Sequence, residues 1–423
     1  IILFSAIRMF GITNPPLEIG HNWRQSTGLM LSRNFLEVDN NILYPRKDDH
    51  KGLSGIVGIE FPLLNYGHYL VSELFGYTHW YGRLLNLIVS SLGIWFFYKL
   101  FSQELGRQVA FYATIALLSS IWFAFSRKMM PDTFCISLVI IGLYFGFEYL
   151  RNKKWWHLIG FVIFATLGIL SKIPAGVYLS MLAYPLFNSP IFTKHKIVFL
   201  LSGIFCVALV YWWYFIWNVH LSREFGVWYN SGQTIKDGFT SLMNYIPAAL
   251  EKFYFSAFQG FIFFILCVGG IVLALIKKNY KLLIMALLVT IVFGLYVLKS
   301  GKYFHHHNYY IIPIVPIMSL FVGYVLTFIK QKRAIILIVA FGVVESLANQ
   351  NHDFFIKDSE MYKLKLEPLM DQYVSSNEWI AINATDENHQ LMYLAHRKGW
   401  MIYDADVLKN EVHQDLLKRG CTY

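Results

Sequence analysis

Apolar runs of membrane length alternate along this chain with short polar connections. They fall at roughly 83–101, 107–125, 131–150, 155–171, 174–187, 196–218, 257–276, 281–298, 308–329 and 333–349. With a further apolar stretch at the start, the pattern predicts an all-α polytopic membrane bundle of about eleven transmembrane helices. The opening stretch, Ile1 to Ile12, is shorter than the ~20 residues a spanning helix needs, so the first span is expected to have lost its upstream half. No small-residue cleavage site follows it, and it reads as a retained helix.

Charge orients this bundle. With residue 1 toward the cytoplasm, the inner connections carry Lys99 with Arg107, then Arg151, Lys153 and Lys154, then Lys194 and Lys196, then Lys277, Lys278 and Lys281, then Lys330, Lys332 and Arg333. Each is short and basic, as the positive-inside rule requires. The outer connections are then two long loops, 13–80 and 219–256, short turns at 126–131, 171–174 and 299–307, and the tail from about 350. Pro62 to Phe75 has helical periodicity behind a proline, which predicts an amphipathic helix, either lying on the membrane surface or packing on the bundle.

The tail has a different pattern. WIAIN, a polar helix near Asn388–Arg397, WMIYD and a charged helix near Asp406–Arg419 read as β-α-β-α. The expected organisation is a transmembrane domain over 1–350, including both outer loops, and the start of a truncated periplasmic α/β domain over 351–423. Asn383-Ala-Thr385 is a glycosylation sequon, a tripeptide common by chance, and is assigned no function.

Composition agrees with lipid as the main solvent: 56% hydrophobic and 18% aromatic residues leave only 15% charged. The formal charge of +10 lies in clusters between apolar runs rather than along one helical face, so no nucleic-acid partner is expected. Cys135, Cys206 and Cys267 lie inside apolar runs and Cys421 near the end, a spacing that offers neither a disulfide framework nor a Cys-based metal site.

Ionisable groups beside hydrocarbon need a partner, a wet cavity or a task. Glu18, His21, Arg24, Arg33 and Glu60 lie in the first loop, Arg83 at a helix start, and Arg127, Lys128, Asp132 and Lys172 at outer turns. Lys299, Lys302 and His305-His306-His307 precede the tenth helix. Plainer roles compete with chemistry. Asp132 follows Pro131 where a carboxylate suits a helix N-terminus, and Arg83 and Lys172 can snorkel to the interface. Three successive histidines cannot all point one way. Glu60, between apolar residues and just before Pro62, is the hardest to explain structurally.

In order, the chain presents His21-Asn22-Trp23-Arg24-Gln25, Glu60-Phe61-Pro62, Tyr81-Gly82-Arg83, Met130-Pro131-Asp132, Ser171-Lys172-Ile173-Pro174-Ala175-Gly176 and Lys302-Tyr303-Phe304 followed by His305-His306-His307-Asn308-Tyr309-Tyr310. This series, over roughly residues 1–335, resembles the GT-C membrane glycosyltransferases, in the branch of the protein O-mannosyltransferases and the lipid A aminoarabinose transferase. The resemblance implies transfer of a sugar, with inversion, from a polyprenyl-phosphate donor to a lipid, glycan or protein acceptor at the periplasmic face of a bacterial inner membrane. By position, Arg83, Lys172 and Lys302 are then candidates for the donor phosphate, with Arg24, Asp132, His305 and His306 also in substrate binding. Glu60, His21 and Glu18 are candidates for orienting and deprotonating the acceptor. Relatives place an aspartate soon after the first span where this chain has none, so the base stays open among these three. Some relatives bind a divalent metal near the second acid; Glu60 with a histidine is the candidate set, and no metal ligand or other cofactor is assigned.

Two other classes compete. An envelope polysaccharide ligase or polymerase would grip lipid phosphates with similar outer-face cations. A lipid-linked sugar transporter or flippase would place ionisable groups near mid-bilayer and show duplicated halves, whereas stretches such as 136–147 and 284–297 are uncharged. A catalytically silent relative is the third possibility.

Overall fold

The computed structural model describes residues 1–49, 53–188, 192–226, 232–383 and 389–423. The short α1 (Ile2–Arg8) is followed by a long outer segment that contains α2 (Asn22–Glu37) and α3 (Leu63–Phe75). The bundle then comprises α4 (Tyr81–Glu104), α5 (Arg107–Ser119), α6 (Pro131–Asn152), α7 (Trp155–Ser171), α8 (Thr193–Phe225), α9 (Ile262–Ile276), α10 (Tyr280–Ser300), α11 (Asn308–Leu326) and α12 (Lys332–Asn349). Among the described residues, α4, α6, α8, α10 and α11 are long and apolar enough to cross a membrane, and α7 and α9 are shorter apolar helices.

Every apolar run read in the sequence is helical through most of its length, but several are interrupted. The run 107–125 breaks at Ser120 and resumes as Trp122–Phe125. The run 174–187 is a 3-10 segment, Ile173–Leu182, before a short α-helix, and Asn308–Ile314 at the start of α11 is also 3-10. Pro174, Pro313 and Pro316 lie in or beside these segments and withhold the amide donors that a continuous α-helix needs.

The helices sort into core and rim. The apolar windows of α6 and α11 are 94% and 89% buried, whereas those of α8 and α10 are 28% buried and show Ile, Leu, Phe and Val to the outside, as lipid-facing helices do. Close approach in the core relies on small residues: a methyl added at Gly142 of α6 would come within 2.7 Å of the Ala165 amide nitrogen in α7. α3 buries Leu64, His68 and Tyr69 while exposing Leu70, Leu74 and Phe75, the two-sided character that Pro62–Phe75 predicts. The second outer loop is largely helical (Ile235–Asn244, Ile246–Glu251) with Ile235, Phe239 and Met243 exposed four residues apart.

At the other end of the bundle, Glu104 accepts both Arg151 and Lys281 at 2.5 Å, tying α4, α6 and α10 together. In the tail, β1 (Trp379–Asn383) pairs in parallel with β2 (Lys398–Ile402), with Gln390–Ala395 helical between them and Asn410–Lys418 after them. Bridges Glu18–Ile356 and Asp49–Gly399 join this segment to the first outer loop. Thr385 of the sequon and Asn388 lie outside the described residues.

Candidate active site

The outer end of the core gathers four charged side chains from four separate segments. Arg24 projects from the first turn of α2. Glu60 lies in an extended stretch fixed from two sides: the Phe61 amide donates to the Leu170 carbonyl, and Trp213 and Asn218 both donate to the Ile59 carbonyl. One Arg24 guanidinium nitrogen lies 3.0 Å from both Glu60 oxygens. Asp132 opens α6 behind Pro131, and Lys172 ends α7, so the helix packing that brings these two ends together also sets their 2.6 Å pair. Lys172 faces the ring of Tyr309 at 4.8 Å and of Tyr310 at 5.9 Å.

The charges hold one another. Burial would raise the Glu60 carboxyl, but Arg24 and then Lys172 outweigh it and hold the group below the ordinary carboxylate range. Burial opposes the Lys172 charge, while Asp132, then Tyr309 and Glu60, push its pKa above the usual lysine value. Asp132 keeps one carboxylate oxygen that is buried and accepts no hydrogen bond.

Beside this quartet stands a ring of aromatic groups. His21, immediately before α2, lies 5.4 Å from Phe125, 5.1 Å from Tyr309 and 6.3 Å from His307, and Trp23 lies 6.0 Å from His307. Burial, with help from Lys128, lowers the His21 pKa to about 3; burial and then His306 lower that of His307 to about 4. Both imidazoles are neutral at physiological pH and so able to accept a hydrogen bond. A small cavity of about 20 Å³ lies among Arg24, Asn65, Glu60, Met129, Pro131 and Ser171, room for about one water. Larger hollows lie elsewhere: about 450 Å³ beside Glu104, Arg151 and Lys281, and an apolar groove of about 930 Å³ between α1 and α4. Their size does not mark the chemistry, since the first is lined by charges already paired and the second by side chains suited to lipid.

Of the residues picked out in the sequence, Glu60, Arg24, Asp132, Lys172 and His21 come together here. Glu18 and Arg83 do not. Glu18 is fully buried between Arg127 at 3.1 Å and Arg83 at 3.3 Å, and Arg83 also donates to Gln25 and to the Ile12 and Asn14 carbonyls. Both are sealed in the packing between the outer segment and the bundle, so neither is placed to meet a substrate. Lys302 and His306 are exposed, and His305 is buried against Tyr245 with ring centroids 4.2 Å apart. Of the three histidines it is His307 that turns to the site, because the chain is extended there before the 3-10 turn at Asn308. Sequence reasoning weighed His307 with its two neighbours but chose His305 and His306 instead, and it did not pick Trp23, Tyr309 or Tyr310 as site residues; the Tyr-Tyr pair just before the Pro-interrupted helix was the available signal. Glu60 has both oxygens engaged by Arg24, and among the described residues no three metal-ligating side chains converge. The residues as arranged do not fit a divalent metal, and no step is routed through one.

This architecture, helices around a polar end with an α/β tail, is the GT-C type of membrane fold. Residues 60–215 match the family described as dolichyl-phosphate-mannose-protein mannosyltransferase. Among solved structures the chain is similar to ArnT from Cupriavidus metallidurans bound to undecaprenyl phosphate, with a TM-score of 0.60 and 14% identity over 99% of this chain and 88% of that one. It is also similar to the apo Archaeoglobus fulgidus oligosaccharyltransferase, with a TM-score of 0.55 and 13% identity over 94% of this chain and 63% of that one, so it spans under two thirds of that protein. No curated protein sequence matches.

Proposed function

We propose that this integral membrane protein is an inverting glycosyltransferase that moves a sugar from a polyprenyl-phosphate carrier to an acceptor on the periplasmic face. The observation that carries this reading is the meeting of Arg24, Glu60, Asp132 and Lys172 at the bundle's outer end, in a fold shared with a transferase solved with a polyprenyl phosphate. Lys172 and Arg24 would hold the donor phosphate and stabilise the second negative charge that develops there as the glycosidic C–O bond breaks. The acceptor hydroxyl oxygen would form the new bond to the anomeric carbon from the opposite side. Its proton would pass to Glu60, which its basic neighbours keep ionised, or to the neutral His21. Asp132, with one unused oxygen, would orient the acceptor or a sugar hydroxyl.

The small volume of the cavity implies that donor entry separates Arg24 from Glu60 or moves α3. Purified protein given a polyprenyl-phosphate monosaccharide should release polyprenyl phosphate and glycosylate an acceptor. A requirement for a pyrophosphate-linked oligosaccharide would instead support the ligase or polymerase class, and movement of the donor between leaflets without sugar transfer would support a flippase.

A further inference from the structure

The segment that follows α12 reaches back into the candidate site. Asp353, just beyond α12, lies 3.0 Å from the Lys128 ammonium, which also donates to the Gly20 carbonyl at 2.7 Å and faces the Phe125 ring at 5.1 Å. Lys128 is fully buried, and its contacts with Gly20 and Phe125 flank one residue. That residue is His21, bonded to Gly20 and packed on the same Phe125 ring. Its backbone is left-handed, φ 56°, an uncommon conformation for a side-chain-bearing residue that persists only when its surroundings impose it. Gly20 is part of the arrangement: a methyl there would overlap the Asp353 carboxylate and the Lys128 ammonium.

We propose that Lys128 and Asp353 are a positioning pair that sets the backbone and ring of His21, making the chain after α12 a working part of the site. The pair acts through His21 and does not touch substrate. A lysine on the turn before α6, a glycine before α2 and an aspartate after α12 thereby close a link between the bundle, the first outer loop and the tail. The inference rests on the proposed role of His21 as a proton acceptor, but its test does not require transfer.

The test is the titration of His21 in the full chain in nanodiscs, followed by 15N-histidine magnetic resonance, with the signal assigned by its loss in His21→Gln. The charged and titratable groups around His21 are Lys128, Asp353, His307 and Lys172, with the Tyr309 ring against it. Lys128→Met should raise the His21 midpoint from about 3 by ~1 unit or more. Asp353→Asn should leave it as low or lower, because the carboxylate is the neighbour that favours the protonated ring. General loosening would instead move both variants toward an ordinary imidazole value, and that result, or no movement in either, overturns the pair. Lys128→Met/Asp353→Leu, which orphans no charge, covers a failure of the single variants to fold. It should raise the midpoint and, in an active preparation, lower kcat with donor KM unchanged; wild-type behaviour in both readouts overturns the proposal. Opposite responses of the two single variants in a protein that transfers no sugar would instead overturn the activity and leave the positioning pair standing.

Discussion

Two clusters of paired basic and acidic side chains lie where the segment between α1 and α4 packs on the bundle. Glu18 with Arg83 and Arg127 is sealed: its side chains are 0–1% exposed, and backbone carbonyls take up much of the remaining donor capacity of the two arginines. Arg24 with Glu60 and Lys172 with Asp132 is open by comparison, with 18% and 24% of the first pair's side chains exposed and one Asp132 oxygen unused. A cluster shut away from solvent can join segments but cannot meet a ligand, even though Glu18 Oε2 and one Arg83 nitrogen make no hydrogen bond. A pair at a cleft with spare acceptors can exchange its partner for a substrate. The difference between scaffold and site here is one of access.

The largest expected effect tests the open cluster. Glu60→Gln keeps the shape and removes the charge, so transfer should fall by about 10²–10⁴-fold while the yield and melting temperature of the purified protein stay near wild type. Near-normal turnover would remove Glu60 from the reaction. Glu18→Ala tests the sealed cluster and should do the reverse. It leaves two buried arginines without their carboxylate, a loss of about 3–5 kcal/mol, visible as a lower melting temperature and poor recovery from the membrane. A stable Glu18→Ala protein that has lost only activity would reverse the assignment of the two clusters.

Lys172→Ala should have a smaller effect. The group holds Asp132 and faces Tyr309, and the charge-assisted contact proposed with the donor phosphate is worth about 1.5–3 kcal/mol. Donor KM should therefore rise about ten- to a hundredfold, with some loss of melting temperature as well, because Asp132 is left buried without its partner. Unaltered donor affinity would return Lys172 to an interfacial role.

Much of the fold was legible because hydrophobic run length is dictated by the bilayer, and the helix ends at Asp132 and Lys172 followed from it. The tail strands at Trp379–Asn383 and Lys398–Ile402 were visible for a similar local reason, as apolar alternation between polar helices. What the sequence could not show was which face each outer residue takes. Glu18 and Glu60 have similar neighbours in sequence, each an apolar residue followed by a turn. Only tertiary packing puts the first between two arginines and leaves the second at a cleft. Asp353 was unreadable for another reason: its partners Gly20 and Lys128 are hundreds of residues away, and no local pattern encodes such contacts.

The three histidines before α11 test the same distinction in access at the smallest scale, because they differ only in where the backbone aims them. His307 stands among His21, Trp23, Tyr309 and Tyr310; His305 is buried against Tyr245; His306 is exposed. His307→Ala should lower turnover by about two- to tenfold, the equivalent of one aromatic contact of ~0.5–1.5 kcal/mol. His305→Ala should move a similar free energy into stability instead, lowering the melting temperature and sparing turnover, and His306→Ala should change neither. The pH profile sharpens this further. With His21 and His307 held at about 3 and about 4, both rings are already neutral at pH 5, so neither should produce an acidic limb in kcat between pH 5 and 8. A limb in that window that disappears in His307→Ala would show that the ring protonates far more readily than its burial beside Lys172 and Arg24 allows, and that the site is wetter than its packing indicates.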